Sequence, residues 1–218
     1  MDVLQGAAKT REYCCTKFFM LVAFIVRGKV SASVVHYQTV SDRILGIRLK
    51  AHPVDMVLVQ VYAPTSEATE EEMEVFYDDV AQLVKEQKKS ADCLIIMGDL
   101  NGKVGAGKED DIIGPYGIGT RNRNGQLLVD CSRRHNLMDA NTWFQAKANA
   151  LHTWTSPDGR TKNQIDYVLV DKRYRNGIQN CKAKPGADCG SDHNPVVVVI
   201  KIKLKKSQEI CQAETLES

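Results

Sequence analysis

Three short segments hold residues able to do acid–base or metal chemistry, and each borders an apolar run. In Leu94-Ile95-Ile96-Met97-Gly98-Asp99-Leu100-Asn101 an apolar strand delivers Asp99 and Asn101 at its end, and the intervening Leu100 lets both point to one side. A carboxylate there can ligate a hard cation or orient a water, and a neutral amide can hydrogen-bond a phosphate oxygen without adding repulsive charge. The plainer reading is a turn, because Asp and Asn are common turn formers. Ser191-Asp192-His193 sets an imidazole beside a carboxylate, an acid–base pairing in which Asp192 can also serve a hard cation; a solvated loop histidine is the alternative. Ile165-Asp166-Tyr167 places a carboxylate in an apolar strand, where an ionised group is costly unless paired. Asp166 therefore wants a partner, and His193 is the evident one; a structural Asp bound to backbone N–H groups competes with it. Tyr62, in Val61-Tyr62-Ala63-Pro64, can donate to a phosphate oxygen, and Trp154 can offer a face to a base or sugar. Both also suit core or rim packing.

These groups need strands to place them, and the chain supplies a succession of short ones. Phe18–Val26 reads as a buried strand, Ala32–Tyr37 as a second, and Arg43–Leu49 as a half-exposed third. Asp55–Tyr62 is nearly continuous in apolar residues, as expected of a strand covered on both faces. One helix is well marked. Thr69 and Glu72 form a capping box, and Met73, Phe76, Val80, Leu83 and Val84 make one stripe. It feeds a buried strand, Cys93–Met97, and a second helix spans about Gln126 to His135 with Leu127, Leu128 and Cys131 inward. Leu151–Thr155 and Gln164–Val170 flank the turn Ser156-Pro157-Asp158-Gly159 as a hairpin, and Pro195–Lys203 is a closing, buried strand. Residues 1–17 read as an irregular leader and 207–218 as a flexible tail. Paired strands with few helices between them predict an α+β sandwich, with packed sheets and helices outside.

Composition narrows the class. Hydrophobic residues make 43% and charged residues 26%, which suits an ordinary globular domain and not a disordered one. The net charge of +2 does not by itself demand a nucleic-acid partner, so any such partner is met by a local patch. The seven cysteines are an odd count without CxxC spacing, which argues against a disulfide framework or zinc site and for a reducing compartment. The longest apolar run, Phe18–Val26, falls far short of the roughly twenty residues of a membrane span. Lys9, Arg11 and Lys17 precede it as in a signal peptide, but Arg27 and Lys29 follow directly and no small-residue cleavage site intervenes. The expectation is an intracellular protein, nuclear or cytoplasmic, not secreted and without a membrane partner; nothing specifies an oligomer.

The ordered set Tyr62-Ala63-Pro64, Gly98-Asp99-Leu100-Asn101, Thr153-Trp154, Ile165-Asp166-Tyr167 and Ser191-Asp192-His193 resembles the endonuclease/exonuclease/phosphatase superfamily, which includes DNase I and the apurinic endonucleases. Val40-Ser41-Asp42-Arg43, Thr153 through Gly159, Asn163 through Tyr167 and Pro185 through His193 narrow the resemblance to RTE-type non-LTR retrotransposon endonucleases and the craniofacial development protein 2 family derived from them. It covers about residues 18–206. The resemblance implies a four-layer α/β sandwich and in-line attack of water on a phosphodiester of DNA, assisted by Mg²⁺ or Mn²⁺. It makes Asp99 the group that activates water and shares the metal, and Asn101 the one that orients phosphate and nucleophile. Tyr62 becomes a phosphate contact, His193 the polariser of the scissile phosphate held by Asp166, Asp192 a metal-site carboxylate, and Trp154 a substrate contact. One departure stands out: members of the superfamily open with a strand bearing Asn and another ending in a metal-binding Glu, and nothing upstream of Phe18 matches them. A domain lacking these first strands is expected to bind Mg²⁺ weakly and to catalyse poorly. The alternative is a non-catalytic remnant that binds nucleic acid or protein; a phosphatase of phosphoinositide or sphingolipid head groups ranks behind both.

Overall fold

The computed structural model describes residues 13–14, 21–89, 92–187 and 190–202. Eight strands and two helices carry the fold: β1 (Val34–Ser41), β2 (Ile44–Leu49), β3 (Met56–Tyr62), α1 (Glu70–Gln87), β4 (Cys93–Asp99), α2 (Arg123–Arg134), β5 (Leu137–Asp139), β6 (Asp166–Asp171), β7 (Ile178–Ala183) and β8 (Val196–Ile200). Six strands form one mixed sheet in the order β1-β2-β3-β4-β6-β5, and β7 pairs with β8 in a second. Only β3 and β4 run parallel, with α1 as their crossover. Helices, large sheet and small sheet thus form stacked layers, the α+β sandwich expected of the sequence.

Period-two patterning decides which face each residue serves. Val57, Val59 and Val61 of β3, Leu94 and Ile96 of β4, and Tyr167 and Leu169 of β6 pack under Met73, Phe76, Val80 and Leu83 of α1 and Leu128 and Val129 of α2. Cys93, Ile95, Val168 and Val170 face the other way, onto Ile178 and Cys181 of β7. The Thr69–Glu72 capping box is present, with both reciprocal bonds made. Helix α2 begins three residues earlier than its apolar pattern predicts because the Asn122 side chain accepts the Gly125 N–H and fixes the first turn.

Several expectations are corrected. Among the described residues of the expected strand Phe18–Val26, only Ile25–Val26 pair in a ladder, with Tyr13–Cys14. Residues 18–20, and the tail from 203 onward, lie outside the described residues. Val22 and Phe24 turn inward onto Leu45, Ile47 and Leu49, whereas Leu21 and Ile25 are exposed. That contact, with Gly46 lying under Leu83 of α1, covers both faces of β2 and makes it an interior strand, not a half-exposed one. The second predicted strand starts late, because Gly28–Ser33 form a 3₁₀ segment. Conversely, β3 is fully covered only on its helix side; Met56, Leu58, Gln60 and Tyr62 are half-buried. The predicted hairpin shrinks to Trp154–Thr155 against Lys162–Asn163, and β6 departs to pair with β4 and β5. Strand β8 is not buried: Val197 and Val199 are 42% and 44% exposed. Cys93, Cys131 and Cys181 are free and buried, and burial pushes the Cys93 and Cys131 thiols up to about 12, so they pack as small hydrophobes. No helix among the described residues is long and apolar enough to cross a membrane.

Candidate active site

The site is built at one end of three adjacent strands. Asp99, the last residue of β4, lies beside Tyr62, the last of β3, and opposite Asp166, the first of β6. Gly98 makes the approach possible. Its φ is 138°, and a Cβ there would stand 1.9 Å from the Val61 carbonyl oxygen, so no side chain fits. Beyond the strand end the Ala63 N–H donates to the Asp99 carbonyl (2.8 Å) and the Leu100 N–H to the Ile165 carbonyl (2.9 Å), which prolongs the sheet contacts into the loops. Asn101 takes a left-handed conformation, φ 46°; its N–H donates to Asp99 Oδ1 (2.9 Å) and its Nδ2 to the Ala63 carbonyl (2.8 Å). Asp99 and Asn101 therefore form one local unit, tied to the strand that carries Tyr62.

His193 reaches this unit from the loop before β8. Its Nδ1 lies 3.0 Å from Asp166 Oδ2, as the cost of an unpaired carboxylate led us to expect. An ionised carboxylate only accepts, so Nδ1 carries the proton of that bond and Nε2 is the ring nitrogen left for a ligand. The loop is fixed from below. Ser191 Oγ accepts the His193 N–H (3.1 Å), the Thr153 carbonyl accepts the Asn194 N–H (2.6 Å), and the Asp192 carbonyl accepts the Thr155 N–H (3.0 Å). Trp154 forms a bridge with His193, and its Nε1 donates to Asp192 Oδ2 (2.8 Å).

Electrostatics shift the proton affinities of two of these groups. Burial, then the nearby Asp166 charge, push the Asp99 carboxyl up from 3.8 to about 6; the Asn101 N–H and His193 oppose this and Asp192 adds to it. The hydrogen bond that His193 donates to Asp166 raises the imidazole above its ordinary value against the opposing effect of burial, and Asp99 and Asp192 contribute in the same upward sense. One ligand atom each from Asp99, Asp166 and His193 lie within 4.8 Å of one another. This donor set fits a hard divalent cation: burial first, and then the Asp166 charge, make an ionised Asp99 costly, and a bound cation offsets both. Asp192 stands outside the trio, its carboxylate engaged by Trp154.

Of the residues singled out in the sequence, Asp99, Asn101, Asp166 and His193 come together, Asp192 and Trp154 sit beside them as a bonded pair, and Tyr62 is placed by the register of β3. The half-buried Tyr62 ring lies 5.1 Å from the Arg43 guanidinium, whose Nη1 also donates to the Tyr62 carbonyl (3.3 Å). Sequence reasoning did not assign Arg43 a role, though its motif was noted. It also missed Asn141 and the hydroxyl of Thr153, which bond the backbone of Asp166. The available signal was a polar cluster, Asp139 and Asn141, directly behind the apolar Leu137-Met138. Asp139 is wholly buried, and desolvation pushes its carboxyl up to about 8.

Comparison with known proteins identifies the family and the fold. A family model described as endonuclease-reverse transcriptase matches residues 56–197, a stretch that holds every site residue named above except Arg43. Craniofacial development protein 2 from Tragulus javanicus and from Bos taurus are each 40% identical over 184 residues, 84% of this chain but 32% and 31% of theirs. The chain thus spans about a third of the length of these curated relatives. Among solved structures, the endonuclease domain of a telomere-specific non-LTR retrotransposon, TRAS1, superposes with a TM-score of 0.53 at 17% identity, covering 74% of this chain and 63% of its own. A 3′ phosphatase from Neisseria bound to product DNA hairpin gives 0.54 at 18% identity, over 73% of this chain and 65% of its own. An AP endonuclease from Leishmania major gives 0.52 at 18%, over 75% and 56%. With the family model covering most of its length and its fold shared with these solved structures, the chain belongs to the endonuclease/exonuclease/phosphatase family, in the branch described as endonuclease-reverse transcriptase.

Proposed function

We propose that this domain hydrolyses phosphodiester bonds of DNA with the help of Mg²⁺ or Mn²⁺, and that it derives from a retrotransposon endonuclease. The observation that carries the reading is the convergence of Asp99, Asp166 and His193 at the strand ends. Asp99 and Asp166 would hold the cation, which when bound polarises a phosphoryl oxygen and screens developing charge. Asp99 also stands where it can accept a proton from an attacking water, and the Asn101 N–H keeps Oδ1 fixed while it does so. His193, held by its bond to Asp166, which raises its proton affinity, presents Nε2 to a phosphate oxygen. Trp154 and Tyr62 border the substrate. The retrotransposon origin is supported by the description of the matching family.

Metal affinity is expected to be low, since Asp166 is shared with His193 and Asp192 with Trp154, which leaves few free carboxylate oxygens. The same observation favours a second reading, a module that holds DNA without cutting it. Nicking of supercoiled plasmid under a titration of Mg²⁺ and Mn²⁺ tests both. Slow nicking that needs millimolar metal and is lost in Asp99→Ala and His193→Ala supports hydrolysis. Nicking that survives either substitution refutes it, and DNA retention without nicking at any metal concentration supports the second reading.

A further inference from the structure

Strand β6 carries Asp166 at its very start, and it has a full partner on one side only. Strand β4 runs along it from Asp166 to Val170, whereas β5 pairs only with Leu169, Val170 and Asp171. Where β5 has ended, two side chains take over the ladder. Asn141, 3% exposed, donates from Nδ2 to the Asp166 carbonyl (2.9 Å) and accepts the Val168 N–H at Oδ1 (2.9 Å), so its carboxamide acts as a strand residue would. Thr153, fully buried, accepts the N–H of both Ile165 and Asp166 at Oγ1 (3.0 Å each). The peptide groups on either side of the Asp166 Cα are therefore each held by a buried side chain.

Thr153 does a second thing. Its own carbonyl accepts the N–H of Asn194, the residue after His193, and the next residue, Trp154, bridges to His193 itself. One residue thus fixes the two segments whose side chains meet at 3.0 Å. Asn141 is in turn anchored by Asp139 Oδ1, which accepts its N–H (3.0 Å). We infer that Asn141 and Thr153 are positioning residues for the Asp166–His193 pair: they replace the missing ladder partner of Asp166 and set the reach of its carboxylate to the imidazole. This rests on the hydrolytic reading only for its consequence in catalysis; the geometry stands apart from it.

Outer groups that orient a functional side chain are costly to lose, typically about 10–100-fold in activity. The test uses the full chain and two independent readouts: the downfield proton NMR resonance of the His193 Nδ1–H bonded to Asp166, and the kinetics of plasmid nicking. Thr153→Val keeps the shape and removes the acceptor, Thr153→Ser keeps the hydroxyl, and Asn141→Leu removes the carboxamide's bonds to the Asp166 carbonyl and the Val168 N–H, together with the one it accepts from Cys181 Sγ. Folded Thr153→Val and Asn141→Leu are expected to lose or shift that resonance and to lower kcat about 10–100-fold with KM little changed, while Thr153→Ser retains both. A folded Thr153→Val with the wild-type resonance overturns the inference. Where both disruptive variants fail to fold, amide exchange in the wild type decides: protection of the Asp166 and Val168 N–H groups equal to that of β4 supports the clamp, and fast exchange at either overturns it. A resonance that responds as expected in a protein that never nicks DNA upholds the positioning role and removes the hydrolytic reading alone.

Discussion

Replacing Asp99 by Asn is expected to make the protein more stable while it abolishes hydrolysis. The carboxyl sits at about 6 against an ordinary 3.8, so ionising it in the folded protein at pH 8 opposes folding. That gap is roughly a hundredfold in proton affinity, or about 3 kcal/mol. Solvent screening of a carboxyl that is only partly buried brings the expected effect to about 1–2 kcal/mol. Asp99→Asn retains the oxygen that accepts the Asn101 N–H and removes the charge that Asp166 and Asp192 repel. The sign follows from linkage. Below 3.8 the wild-type carboxyl is protonated both folded and unfolded and carries no penalty; the penalty grows as pH rises from 3.8 and is complete above about 6. Urea denaturation of both proteins at pH 8, 6 and 4 without divalent metal measures this. The variant is expected to gain about 1–2 kcal/mol at pH 8, less at pH 6, and almost nothing at pH 4. A variant less stable than wild type at pH 8, or a gain that persists undiminished at pH 4, refutes the argument.

Gly98→Ala drives a methyl into the Val61 carbonyl at a φ that disfavours any side chain, so a loss of about 3 kcal/mol or more is expected in denaturant melts. Asp166→Asn removes the largest cause of the raised His193 value, and the imidazole titration followed by NMR should fall back toward 6.5. Because that value is raised in the folded state, the ion pair stabilises fully below 6.5 and its contribution is lost as pH rises through the raised value; the variant should cost more stability at pH 6 than at pH 9. Thr69→Ala breaks the exposed capping box of α1 and should cost about 0.5–2 kcal/mol while leaving nicking unchanged.

The central strands and the first helix were legible because their apolar spacing is strong and their ends are marked: the stripe from Met73 to Val84 and its Thr69 cap are both found in the fold. The Asp166–His193 contact was legible for a different reason, the cost of leaving a carboxylate unpaired in a strand. What failed was inference about cover. The exposure of β2 and β8 depends on which segments lie over them, and Val22, Phe24 and α1 reach β2 from positions that no local period reports. The span of the hairpin failed similarly, since β6 gains more by joining a six-stranded sheet than by extending a ribbon. Asn141 and Thr153 were hidden because a polar side chain substituting for backbone has no spacing signature; its partner is set by where a neighbouring strand stops.

The parallel placement of β3 beside β4, with β6 returning antiparallel on the far side, has a consequence for how the domain comes into being. Tyr62, Asp99, Asp166 and His193 are drawn from different stretches of chain, and even Asp166 and His193 are 27 positions apart. Contacts of such long sequence separation are slow to form, because closing large loops costs entropy before any packing repays it. A chain growing on a ribosome therefore carries no assembled Asp99–Asp166–His193 cluster until the His193 loop has emerged and folded back onto the strand ends.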